Sequence, residues 1–248
     1  MKRSIFLAGW CMLFMVYGCK KDKDNNQPLL YGSEIAIGNG KARSFIKTDS
    51  AGNPARIGLL VSEAVINSLP HHDTSFVIPM PNGNKTLTDH ITFEWNPHGH
   101  EPEHLYDVPH FDVHFYMILQ NEQKLIDPAS PAMEKLPPAE FVPQPYIPTP
   151  GGVPQMGKHW VDPTSGEFSG KPFTTTFIYG SWDGKFHFVE PMFALSFLES
   201  KPDFFANVSP LPKVLKSGFY PTAYSIKYDA GSKQYSITLE KLKFINAQ

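Results

Sequence analysis

At 248 residues, with 41% apolar, 13% aromatic and 19% charged side chains, the chain can bury a sizeable core and is neither disordered nor collagen-like in composition. A formal charge of −2, with no Lys/Arg cluster beyond the N-terminus, leaves no electrostatic footprint for nucleic acid. The 24 prolines and 18 glycines exclude long uninterrupted helices and predict a mainly β fold, a single-domain, β-sandwich-like arrangement of hairpins with short peripheral helices.

Residues 1–18 read as a targeting segment. Lys2 and Arg3 form a basic start, and 5–17 is an apolar run too short to span a bilayer comfortably. Val16-Tyr17-Gly18-Cys19 resembles the lipobox of bacterial lipoproteins, with Tyr17 an unusual occupant. That resemblance implies cleavage before Cys19, diacylglycerol on its thiol, and a lipid-anchored protein on the extracytoplasmic side of a bacterial cell envelope. An ordinary secretory signal with an incidental Cys19 is the alternative. Residues 19–29, rich in Lys, Asp and Asn, suit a flexible tether, and the domain is expected over 30–248. The other cysteine, Cys11, lies in the discarded run. The mature chain therefore has no internal disulfide and no thiolate metal site, and any ligands must be nitrogen or oxygen.

Along the domain, residues 41–61 predict a hairpin turning through DSAGNP, and 62–69 a short helix with Ser62 at its N-cap. Strands follow at 75–79 and 90–95, separated by the turn PNGN; His71 and His72 lie in a polar loop and read as solvated. Residues 120–126 suit a short helix, and the proline-rich 128–154 an ordered, extended, wrapping loop. The clearest hairpin spans 171–190 through GSWDG. A short helix is expected over 191–199 with Pro191 at its first position, and a last hairpin over 219–228 and 234–244.

The chemistry concentrates in residues 95–117, WNPHGHEPEHLYDVPHFDVHFYM, which hold five of the ten histidines and four carboxylates. Imidazole and carboxylate are the common protein ligands for zinc, iron and manganese and the common proton-transfer groups. Aromatic and β-branched residues make 110–118 a strand. Alternation then puts His110, Asp112, His114 and Tyr116 on one face and Phe111, Val113, Phe115 and Met117 on the other. At about 3.3 Å rise per residue, His110 and Asp112 lie about 7 Å apart at Cα and can converge on one ion. His110 and His114, about 13 Å apart, need a bulge to do so. His98-Gly99-His100 offers a second chelating pair, with Gly99 free to adopt an unusual backbone conformation. His159, beside Trp160, and Glu190 can complete the pocket, although Glu190 before Pro191 is equally placed to cap the following helix. His187 alternates away from Glu190, so the two are not expected in one site. The metal set is therefore His100, His110, Asp112, His114, His159 and Glu190; the alternative is that these histidines are hydrogen-bonded structural groups or exposed.

That central block, with MGKHWVD (156–162) and GSWDGKFHFVEPM (180–192), resembles an uncharacterised bacterial family of secreted proteins typified by a protein under a sigma-E/anti-sigma-E regulator of a thermophile. The resemblance covers roughly residues 35–198, and PHFDVHFY is its most specific part. It implies a common site at His100, His110, Asp112, His114, His159, Glu190 and Pro191, with His98, His104 and His187 individual to this chain. The family has no settled activity.

Three functions fit: a cell-envelope lipoprotein binding a divalent transition metal in a stress-response or metal-handling role; a metal-dependent enzyme with Glu190 or Asp112 as base; or a carbohydrate-binding or assembly module using Trp160, Trp182 and surface tyrosines. Cupins are the nearest enzyme analogy, through H-x-H followed by an acidic residue, but the glycine spacing and second cupin motif do not match. A homo-oligomer stays open, and no small-molecule ligand is named. The leader predicts that the mature N-terminal peptide begins at a lipid-modified Cys19; mass spectrometry checks this, and an unmodified N-terminus elsewhere would overturn it.

Overall fold

The computed structural model describes residues 28–248. The segment expected to be a signal peptide, Cys19 and the expected tether as far as residue 27 lie outside the described residues. Among the described residues the protein is mainly β, two seven-stranded antiparallel sheets and a two-stranded one, with three short α-helices. In spatial order the first sheet runs Leu29–Tyr31, Gly40–Thr48, Pro54–Ser62, Gln234–Glu240, Ala223–Asp229 and Asp203–Asn207, with Ile35–Ile37 also paired to Gly40–Thr48. The second runs Thr74–Pro79, His90–Asn96, His110–Tyr116, Lys185–Ala194, Thr175–Trp182, Lys158–Val161 and Ile147–Pro148.

Both sheets bury alternate residues in one continuous core. Ile46, Ile57, Leu59, Ile226 and Ile237 come from the first; Ile91, Phe93, Phe111, Val113, Phe115, Val189 and Phe193 come from the second. Phe111 stacks on Phe93 at 5.2 Å and on Phe193 at 5.6 Å between ring centroids, so three adjacent strands share one aromatic layer. Buried phenols and indoles find acceptors: Tyr179 donates to the Ser209 carbonyl and Trp95 to the Pro70 carbonyl.

The period-2 pattern has a second consequence. With Phe111, Val113 and Phe115 turned into the core, His110, Asp112, His114 and Tyr116 must face the other side of the second sheet, yet all seven residues of His110–Tyr116 are buried. Loops cover that outer face. Tyr106 and Phe173 pack over it with Met192 and Ile178, and His90 bonds Gln123 at 2.8 Å. The proline-rich 128–154 is an ordered loop, though two 3-10 turns, Pro131–Glu134 and Ala139–Phe141, interrupt the extended course its sequence predicts. It is held by buried Met133 and Tyr146, by pairing of Ile147–Pro148 with Lys158–Val161, and by Lys158 Nζ donating to the Gly151 carbonyl.

Four expectations change. The helix over 191–199 begins only at Leu195: the strand runs through Pro191 to Ala194 because Pro191, paired opposite Phe177, takes an extended conformation that its ring permits. The last hairpin splits after Tyr220, where Pro221 supplies no N–H to the ladder, and Gly218–Tyr220 with Lys243–Ile245 forms the separate small sheet. The helix after Ser62 is one turn, Glu63–Ile66, and the Ser62 hydroxyl accepts from the Lys41 N–H instead of capping it. The helix at 120–126 is likewise one turn, Gln120–Gln123.

Phe115, fully buried in the shared core, sets a test of this layering. Phe115→Ala should cost roughly 3–5 kcal/mol in denaturant unfolding, whereas Leu125→Ala, at an 80% exposed position, should change stability by less than about 0.5 kcal/mol.

Candidate metal centre

Register assembles the site. Across the second sheet Asn96, Glu94 and Thr92 stand opposite His110, Asp112 and His114. On the other side Met192 stands opposite Asp112 and Phe188 opposite Tyr116, so the intervening register puts Glu190 opposite His114. Gly180 carries the face onward to its partner His159. Pro191 interrupts the ladder to His110–Tyr116 beside this point, between the Val189–Phe115 and Met192–Asp112 pairs.

The six predicted ligands fall into two triads rather than one pocket. His100, His110 and Asp112 form the first: His100 Nε2 lies 3.2 Å from Asp112 Oδ2, and His110 Nε2 lies 3.3 Å from Asp112 Oδ1. His114, His159 and Glu190 form the second, with His114 Nε2 at 3.5 Å and His159 Nε2 at 3.6 Å from Glu190 Oε2. For metal–ligand bonds of about 2.0–2.1 Å, a tetrahedral angle spaces donor atoms about 3.4 Å apart. The observed separations match that edge length.

The hydrogen bonds behind the ligands point the same way. His110 Nδ1 lies 2.7 Å from the Val108 carbonyl and His100 Nδ1 2.7 Å from the Glu101 carbonyl, so in neutral rings both Nδ1 atoms carry the proton. His110 Nε2 then turns a lone pair to Asp112 Oδ1, whereas His100 Nε2, in a ring that Asp112 helps to protonate, closes a hydrogen bond to Asp112 Oδ2. Lone pair against lone pair is repulsive without a cation or proton between. Accordingly His110 Nε2, Asp112 Oδ1, His114 Nε2 and Glu190 Oε2 are all buried without a hydrogen-bond partner. Asp112 Oδ2 is fixed from behind by Asn96 Nδ2 at 2.8 Å, and His114 Nδ1 lies 3.2 Å from Thr92 Oγ1 and 3.6 Å from Glu94 Oε1.

The remaining candidates separate cleanly. His98 is exposed and His104 is 85% exposed at its side chain, so neither joins a triad. Gly99 has φ +69°, and a Cβ there would meet the Tyr106 carbonyl, so the glycine lets the loop turn His100 inward while His98 points out. Glu190 does not cap a helix: its strand continues past it, and it is 2% exposed between two histidines. His187 stays outside both triads, though alternation is not the reason. A β-bulge pairs Gly180 with Phe188 and Ser181 with Phe186, leaving His187 as the extra residue; its ring lies 6.1 Å from Tyr116 and 5.0 Å from Phe188. The Lys185 and Met156 carbonyls approach the ring, but neither closes a hydrogen bond to it. Glu94, Asn96 and Thr92 were missed by the sequence reading, although the alternation of Thr92-Phe93-Glu94-Trp95-Asn96 carries the signal that finds them.

Burial dominates the electrostatics. It lowers His114 to about 4 and His159 and His187 to about 3, and it raises Glu94 to about 7 and Glu190 well above the ordinary range, with the charge of Asp112 adding to both carboxylate shifts. Burial also pushes Asp112 up, but the hydrogen bond from His100 and the nearness of the His100 and His110 imidazoles outweigh it and hold that carboxyl well below its usual range. Between pH 6.5 and 4.5 two contributions oppose each other in metal-free protein. The unfolded chain protonates imidazoles that the fold keeps neutral, which weakens stability on acidification, while the fold retains carboxyl protons that the unfolded chain releases, which strengthens it. Below about 4.5 the unfolded carboxyls are protonated too, and only the imidazole contribution remains, joined by Asp112 below about 3.8. The thermal midpoint of chelator-treated protein should therefore drop steeply from pH 4.5 to 3 and change less from 6.5 to 4.5. A constant midpoint below 4.5 would contradict this burial.

Residues 49–95 match the family model described as TTHB210-like, hypothetical protein TTHB210. No curated protein and no solved structure matches the chain. The matched segment runs from the turn before Pro54–Ser62 into His90–Asn96, so of the site it reaches only Thr92 and Glu94, and the blocks around His110, His159 and Glu190 lie beyond it. Over that segment the chain is similar to an uncharacterised family named for a hypothetical protein of a thermophile.

Proposed function

We propose that the protein is a lipid-anchored lipoprotein of the bacterial cell envelope that binds a divalent transition metal, zinc, iron or manganese, on the loop-covered face of its second sheet, in a metal-handling or stress-response role. The observation that carries the metal reading is the set of buried, partnerless donor atoms at tetrahedral-edge spacing, His110 Nε2, Asp112 Oδ1, His114 Nε2 and Glu190 Oε2. Burying carboxylates is costly unless a cation compensates them, and the ion-pair partners of Asp112 and Glu190 are neutral-capable histidines rather than Lys or Arg. The envelope location rests on the leader and on the VYGC motif ending at Cys19.

A second reading, a metal-dependent enzyme, draws on one feature: two histidines and a carboxylate leave coordination positions open for water or substrate. With Asp112 and Glu190 both in triads, Glu94 is the nearby carboxylate left to act as a base. Of the side chains a carbohydrate-binding module would use, Trp160 is buried in the core with its N–H donated to Ser181 Oγ and offers no stacking face, which leaves half-buried Trp182 and the surface tyrosines.

Elemental analysis of purified protein, followed by titration of zinc, manganese and iron into chelator-treated samples, tests the metal reading. His110→Ala should lower occupancy sharply, Asn96→Ala should weaken affinity on the order of 10 to 100-fold, and His98→Ala should bind as wild type does. Wild-type protein that takes up no metal above non-specific levels would end it. Metal-dependent turnover of any substrate would favour the enzyme over the carrier.

A further inference from the structure

The two triads differ in how they are built, and the difference decides what each can do with an ion. His114, His159 and Glu190 all come from paired strands of one sheet, His110–Tyr116, Lys158–Val161 and Lys185–Ala194. Their side chains are 1%, 16% and 2% exposed. His110 and Asp112 are as deeply buried, but the third member of their triad, His100, comes from the loop joining His90–Asn96 to His110–Tyr116 and is 43% exposed. That loop is fastened at Tyr106, which is buried and donates to Glu167 Oε1, while the residues between, 101 to 104, lie in the open. His100 thus sits where a fastened face meets an exposed loop.

One ion cannot serve all six donors. Two atoms bound to one ion lie at most about 4 Å apart, and the donors form two groups, each close within itself, with no group of such donors joining the two. Asp112 and His114, the nearest members along the chain, start from Cα atoms about 7 Å apart on one strand face. Glu94 lies between the groups, opposite Asp112 in register and 3.6 Å from His114 Nδ1.

We propose that the face holds two divalent ions, one per triad, and that they are inequivalent: the His114–His159–Glu190 triad keeps its ion as a resident, and the His100–His110–Asp112 triad exchanges its ion with the surroundings through the exposed imidazole of His100. The proposal rests on the metal reading above and deepens it by naming the exchangeable divalent cation as the cargo of the outer triad. A ligand held only by a loop can leave without unpairing a strand. Each ligand of the inner triad is carried on a strand whose neighbours must open before it can withdraw.

Zinc alone, added to full-length protein freed of metal, with release followed by a chromogenic chelator, tests this. Wild type should bind two zinc ions and release them in two phases differing at least tenfold in rate. His100→Ala, a change at an exposed loop position, should bind one ion and show only the slow phase. His159→Ala should bind one ion and show only the fast phase; circular dichroism and a thermal melt matching wild type establish that each variant is folded. If wild type binds a single ion, the metal reading stands and the two-ion inference falls. Two ions released in one phase, or loss of the slow phase in folded His100→Ala, would also overturn it. If wild type binds none, both fall together.

Discussion

The strand His110–Tyr116 is buried along its whole length while every second residue is polar, and the rest of the structure follows from that constraint. Its apolar half is layered between Phe93 and Phe193 and ties the two sheets together. Its polar half cannot be left bare under a cover, because a buried imidazole or carboxylate without a partner costs the full desolvation of that group. Much of the surrounding structure answers that demand: Asn96, Thr92 and the Val108 carbonyl hold the far atoms of Asp112, His114 and His110. The near atoms, which face one another, are left without protein partners.

Two irregularities of the neighbouring strand lie beside the second triad. Pro191 lacks the N–H that a regular ladder would use, and the pairing to His110–Tyr116 lapses where Glu190 faces His114. A few residues earlier the bulge opposite Gly180 shifts the alternation by one, so Phe186 and Val189 both reach the core, while His187 and Phe188 lie beside Tyr116. Gly180 itself allows the close packing, since a Cβ there would collide with the Phe188 ring. Backbone defects in a central strand weaken a sheet; here the bulge leaves His187 beside Tyr116 and outside both triads.

The loop over the face supplies what the strands do not. Six donors drawn from rigid, mutually paired strands would close the face against its surroundings, whereas His100 brings one candidate donor from outside the sheet. Gly99, at a positive φ that puts its α-carbon against the Tyr106 carbonyl, is the hinge of that arrangement. The same turn sends His98 to solvent, which is why the H-x-H pair offers one candidate ligand rather than a chelating pair.

Much of this was legible in the order of residues. Alternation in HFDVHFYM separated the core face from the polar face, and the strand rise set His110 and His114 far apart along it; the structure places them in different groups of candidate ligands. Alternation in TFEWN likewise holds Glu94 and Asn96 on that same face, opposite Asp112 and His110. Period 2 is a property of the local backbone, so sequence alone determines which side chains share a face of one strand. Which strands lie beside one another is decided by non-local pairing, and a local pattern has no access to it. Only the tertiary structure could bring His159 and Glu190 to His114, continue the strand through Pro191 so that Glu190 is a buried donor instead of a helix cap, insert the bulge that reorients His187, and fold the loop that brings His100 alone to Asp112.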